Sequence, residues 1–168
     1  ARGRTLCYQL TGLARAMRGE RDLARPVMDR CIETAQRSGD RHLLAIMWMR
    51  RALAHHILGD FASAQRDFSA SLAPLTEMGE HWFLSLALEG MAINALALGD
   101  ATAAGALARE SVLVLRPEPD AWFLSRSLDA IAVVLEAQIA SGGVPTETLE
   151  ARGTVAARLM GAAAGLPA

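Results

Sequence analysis

Lysine is missing from this chain altogether, and all 17 basic residues are arginine. Cysteine is nearly so. Cys7 and Cys31 stand 24 residues apart with no histidine or further cysteine at ligand spacing, which excludes a disulfide framework and a zinc motif and fits a reducing cytoplasm. Aromatic residues make up only 5%, so small and aliphatic side chains, alanine above all, must fill the interior. Runs of β-branched residues are almost absent, while alanine and leucine are dense, and that balance favours helices over strands. No apolar run of membrane-spanning length and no signal peptide can be read, so no membrane contact is expected. A glycine-rich phosphate loop of the Walker type and a DNA-reading helix-turn-helix are missing too, and no cofactor is expected. The chain opens Ala1-Arg2-Gly3-Arg4 without a methionine and reads as an excised piece of something larger.

What is present is a globular composition. Of 168 residues, 52% are hydrophobic and 21% charged, enough for one domain over 1–168. The net charge of −1 hides an asymmetry. Residues 1–51 hold 11 arginines against 5 acids, a balance of +6, and residues 52–168 hold 6 against 13, a balance of −7. A neighbouring domain or a second copy could neutralise the basic end. A nucleic-acid reader would carry a basic patch with interleaved aromatics or a recognition helix. Neither is legible, so no direct nucleic-acid contact is expected.

The strongest signal is a repeat. A shift of forty residues aligns Gly19-Glu20, Gly59-Asp60 and Gly99-Asp100, and likewise Gly39-Asp40, Gly79-Glu80 and Pro119-Asp120. Between these points apolar residues recur at three- and four-residue spacing, the period of amphipathic helices. A glycine followed by an acid suits a helix–helix junction, because glycine can end one helix in the left-handed conformation and the acid favours the positive end of the next. Each unit is then two helices and two short turns: 1–40, 41–80, 81–120 and an altered fourth, 121–168. Trp122-Phe123-Leu124-Ser125 echoes Trp82-Phe83-Leu84-Ser85, and that recurrence points to packing roles for these tryptophans. Matching Ala156 to Ala104 leaves 12 extra residues, an inserted loop near 139–153.

The second unit carries Ala45, Trp48, Ala52, His55, Gly59-Asp60-Phe61, Ala64, Phe68 and Ser71. At these offsets it resembles the tetratricopeptide (TPR) family, with His55 where that family favours tyrosine, Arg51 where it favours leucine, and a period longer than the usual ~34 residues. The resemblance implies an all-α fold, a right-handed α-α superhelix of about four helix–turn–helix repeats. Over the whole chain, units of this length closed by Ala156–Ala163 look like the C-terminal repeat region of large bacterial signal-transduction ATPases, the LuxR-type, MalT-like and AfsR/SARP-like transcriptional regulators. That implies a non-catalytic sensory module whose partner is a protein, a peptide or a small inducer. The alternative is a self-associating scaffold unrelated to transcription, its basic N-terminal end meeting the acidic C-terminal end of another copy.

Chemistry offers little. His55 and His56 are adjacent and point ~100° apart on a helix, so they cannot chelate one ion as an i, i+4 pair would. His42 and His81 sit beside turns, and the serines lack a nucleophile-elbow context. No catalytic residue and no metal site is expected. Binding is argued from geometry, since the first helix of each unit lines the concave face of such stacks. One row there reads Gln9, Met49, Glu89, Asp129, a second Leu13, Leu53, Ile93, Val133, and a third Leu6, Ile46, Leu86, Arg126. The expected groove has an apolar floor, a polar row turning acidic towards the C-terminus, and Arg126 and His56 at its edges, suited to an amphipathic helix or to an apolar small molecule with one cationic group.

Overall fold

The computed structural model describes residues 2–117 and 120–140. Within them the chain is helical throughout, without a strand: α1 (Arg2–Met17), α2 (Arg21–Ser38), α3 (Arg41–Ile57), α4 (Phe61–Glu77), α5 (His81–Ala97), α6 (Ala101–Leu113) and α7 (Ala121–Ala140). The loop expected near 139–153 lies outside the described residues except for its first two, which belong to α7, and so do Pro119 and the closing segment Ala156–Ala163. From α3 onward every helix starts twenty residues after the one before. None of the seven is long and apolar enough to cross a membrane.

The even spacing comes from the junctions. Gly19, Gly39, Gly59, Gly79 and Gly99 all have positive φ, between 67° and 82°. At four of them the same two hydrogen bonds close the outgoing helix. At Gly59, for instance, the glycine N–H donates to His56 O and the Asp60 N–H donates back to His55 O, satisfying carbonyls that a helix end would otherwise leave open. Gly39 differs, because the Asp40 N–H donates to Ser38 Oγ instead. The acid that follows then starts the next helix. Asp40, Asp60, Asp100 and Asp120 each accept a backbone N–H from the first turn through their Oδ1 atoms, at 2.9 Å from Leu43, 3.3 Å from Ser63, 2.9 Å from Ala103, and 2.9 and 3.2 Å from Trp122 and Phe123. Glu20 makes no such cap; its longer side chain is not matched to the geometry that Asp satisfies.

The described helices fall into two compact units, divided inside α5 between Phe83 and Leu84. In the first, α1 packs on α2, both pack on α3, and α3 packs on α4. Its small residues sit where backbones approach. A Cβ on Gly12 would overlap Met28 Sδ across the α1–α2 contact, and Ala52 in the same register is fully buried. Ala16, Ala24, Met28 and Ala54 form one apolar cluster, with Leu13 and Leu58 against it. In the second unit α6 packs on α7, and Ala92, Ala95, Ala104, Ala108 and Val134 draw α5, α6 and α7 together. Ala24, Ala64 and Ala104 are all fully buried at equivalent positions. So are Cys31, Ser71 and Ser111. Each of these two serines satisfies its hydroxyl on the carbonyl three residues back, Phe68 O and Ala108 O, which lets a polar atom occupy a core position at little cost.

Alanine at a positive-φ junction forces a Cβ into the left-handed region at about 1–2 kcal/mol. Gly59→Ala is therefore expected to lower unfolding stability by about that amount, read from urea denaturation; an unchanged midpoint would contradict a left-handed junction at this glycine.

Candidate functional site

The expected groove residues separate into buried and open sets. Gln9, Met49 and Glu89 are buried, His56 is half-buried with its ring 5.4 Å from Phe61, and Arg126 and Asp129 are exposed. The row Gln9–Met49–Glu89 is therefore helix-packing surface, and only its last member, Asp129, faces outward. Of the six, the structure brings together Glu89 and Arg126.

That contact lies in the second unit. Glu89 Oε1 accepts from Ser127 Oγ at 2.8 Å, Ser127 Oγ is 2.9 Å from Ser85 Oγ, and Arg126 Nη2 approaches Glu89 Oε2 at 3.3 Å. The pair joins α5 to α7. Burial raises the Glu89 carboxyl above its ordinary value, opposed by Ser127 and Arg126. Arg126 also lies 5.1 Å from the centre of the Trp122 ring. Trp122 is 59% exposed and Trp82 is 41% exposed. Both begin a first helix partly open to solvent, and the Trp122 ring stands edge-on to Phe123 at 4.8 Å. On α7 the exposed residues Trp122, Arg126, Asp129, Val133 and Glu136 share one helical face. Ile93 is exposed at the position on α5 equivalent to Val133.

The first unit holds a denser polar cluster that sequence spacing did not reveal. Arg51 grips Asp67 with two parallel bonds, Nε–Oδ2 at 2.6 Å and Nη2–Oδ1 at 2.9 Å, and reaches Asp29 through Nη1 at 2.9 Å. It thus ties α3 to α4 and to α2 at once. The carboxylate partners raise its pKa, the Asp67 hydrogen bond most, and a bidentate arginine–carboxylate pair is the strong form of this interaction. Arg25 pairs with Asp60, and Arg21 donates to the Leu58 carbonyl. His55 sits between, with Nδ1 3.7 Å from Asp60 Oδ2 and Nε2 3.7 Å from Asp67 Oδ2. Elsewhere His42 meets Glu80 at 2.9 Å and stands edge-on to Phe83. Arg51 and His55 are the two departures from the TPR pattern, and both serve this lattice. Their partners are 16 and 22 residues from Arg51, and 5 and 12 from His55; only a hairpin of known register places them together.

Ala24, Arg25, Met28, Asp29, Arg51, Ala54, His55 and Leu58 line a cleft of ≈ 210 Å³, space open to solvent included. The enclosed part of this cleft is only ≈ 10 Å³, about the room of one water. Among the described residues no group of three or more His, Cys, Asp and Glu side chains could hold a metal ion. The polar groups of this unit bind one another.

Burial lowers the His55 pKa below its ordinary value despite Asp67 and Asp60. The native chain therefore holds His55 neutral, and the unfolded chain takes up its proton first as pH falls. Unfolding stability is expected to drop as pH descends through about 6.5 towards 5, and His55→Gln to flatten that part of the profile, measured by urea denaturation across pH. A wild-type profile that is flat or rising there would contradict the neutral buried ring. No family model, no curated protein and no solved structure matches this chain.

Proposed function

We propose that this chain is a non-catalytic, protein-binding module of TPR-like repeats, about four hairpins in a right-handed superhelix, serving as the sensory region of a cytoplasmic bacterial transcriptional regulator. The observation that carries the binding part is the outward face of α7. There Trp122 and Val133 stand exposed beside Asp129 and Glu136, with Arg126 drawn against Glu89 and Trp122, and Ile93 is in the same register on α5. Exposed apolar side chains next to carboxylates suit a partner helix with an apolar strip and cationic flanks. The small cleft in the first unit favours such a partner over a small inducer. The repeat period and the resemblance to signal-transduction ATPases support the regulator part. In that setting a partner that prefers one arrangement of the hairpins would shift the population of an attached switch.

The test is a fluorescence titration, with exposed Trp122 as reporter, using two synthetic amphipathic helices of one apolar pattern, one flanked by arginines and one by glutamates. The arginine peptide is expected to bind more tightly, and Ile93→Asp or Val133→Asp to weaken it about tenfold. Equal binding of the two peptides, or variants that bind as wild type does, would remove the assignment.

A further inference from the structure

Three groups on or beside the α7 face are placed to take one guanidinium. Arg126 stands four residues after Trp122 and three before Asp129, so both are its neighbours on the helix surface. Glu89 reaches it from α5. The structure places Arg126 with Glu89 and Trp122: its Nη2 lies 3.3 Å from Glu89 Oε2, and the guanidinium is 5.1 Å from the centre of the Trp122 ring. Among the described residues Asp129 makes no ion pair.

Burial decides that competition. The Glu89 side chain is 4% exposed, whereas Asp129 is open to solvent. A charge shut away from water acts through a lower effective dielectric, so it attracts a nearby cation more strongly than a surface charge does. Left without that cation it is also costly. Asp129 is close enough that its own charge raises the Glu89 carboxyl, which makes the two carboxylates rivals for the same arginine. Ser127 gives Glu89 a hydrogen bond at 2.8 Å but no charge. The hold on Arg126 is a single contact, unlike the two parallel bonds between Arg51 and Asp67, and the Arg126 side chain stays 48% exposed. Removing the one charge that holds this arginine therefore releases it to its surface neighbour.

We propose that Glu89 is a positioning residue for the α7 face: it keeps Arg126 from Asp129, and the carboxylate left unpaired on the surface receives a guanidinium of the partner helix. This rests on α7 being a binding surface, and it names the group on that surface that reads the partner's cationic flank. Glu89 itself never touches the partner. It sets the charge that the partner meets.

The test is fluorescence polarisation of two dye-labelled amphipathic helices, one flanked by arginines and one by glutamines, so that the signal does not depend on Trp122. Glu89→Gln keeps the shape of the side chain and an oxygen for Ser127. It is expected to weaken the arginine peptide about threefold, the size of one exposed ion pair, and to affect the glutamine peptide much less. Adding Arg126→Gln to Glu89→Gln should recover the loss, because no guanidinium is left to cover Asp129. Asp129→Asn should weaken the arginine peptide by about the same factor, and Glu89→Gln on top of it should add nothing. A Glu89→Gln chain that binds the arginine peptide as wild type does, that loses both peptides equally, or whose loss survives Arg126→Gln overturns the proposal. So does an Asp129→Asn chain, its change confined to an exposed side chain, that binds unchanged. If the arginine peptide binds wild type and all variants alike, the positioning role fails and the binding surface stands. If it binds neither wild type nor variant, both fail.

Discussion

A left-handed residue every twenty positions sets almost everything else in this structure. An α-helix does not reverse direction unless its last carbonyls find donors and its successor's first N–H groups find acceptors. Here two consecutive residues do both. Glycine turns the chain at positive φ, and the next backbone N–H reaches back to the outgoing helix. Where that next residue is Asp, its carboxylate also caps the incoming helix. Because the junctions are short, α2 lies against α1, α3 against α2, α4 against α3 and α7 against α6, and the face each buries is decided by register. The full burial of Ala24, Ala64 and Ala104 follows from that register, since an alanine leaves room for the closest approach of two backbones.

Cross-links between helices do the rest, and they differ between the two units. In the first, Arg51 spans three helices through two carboxylates, with His55 enclosed beside it. In the second, the buried Glu89 carboxylate accepts from Ser127, which is itself bonded to Ser85, and meets the exposed Arg126. Pairs of this kind add little net stability once desolvation is counted, but losing one partner strands a buried charge.

The junctions and the alanine rows were legible in the sequence because they depend on local chemistry and on a fixed translation. Gly59-Asp60 carries its own reason to turn, and Ala64 its own reason to be buried. The polar lattice was not legible. Arg51 and Asp67 are 16 residues apart on different helices, and nothing in either residue's neighbourhood marks the other as its partner. The groove was legible only in part, for a physical reason. The spacing marks rows along a first helix but not their cover: Gln9, Met49 and Glu89 are buried, Glu89 beneath α7, while Asp129 is exposed. Recurrence of the Trp-Phe-Leu-Ser run does not show how far its tryptophans lie open, and Trp82 and Trp122 are 41% and 59% exposed.

The central claim is translational, that a shift of forty residues carries one hairpin onto the next, and deletion tests it most directly. Removing residues 41–80 keeps every remaining helix in register, whereas removing residues 41–74 joins the same flanks out of register. In stacked repeats, stability is approximately a sum over units and their neighbouring interfaces. The forty-residue deletion is therefore expected to unfold cooperatively in urea, at a lower midpoint but with helicity per residue retained, and the thirty-four-residue deletion to lose its cooperative transition. Two deletions that behaved alike would contradict it.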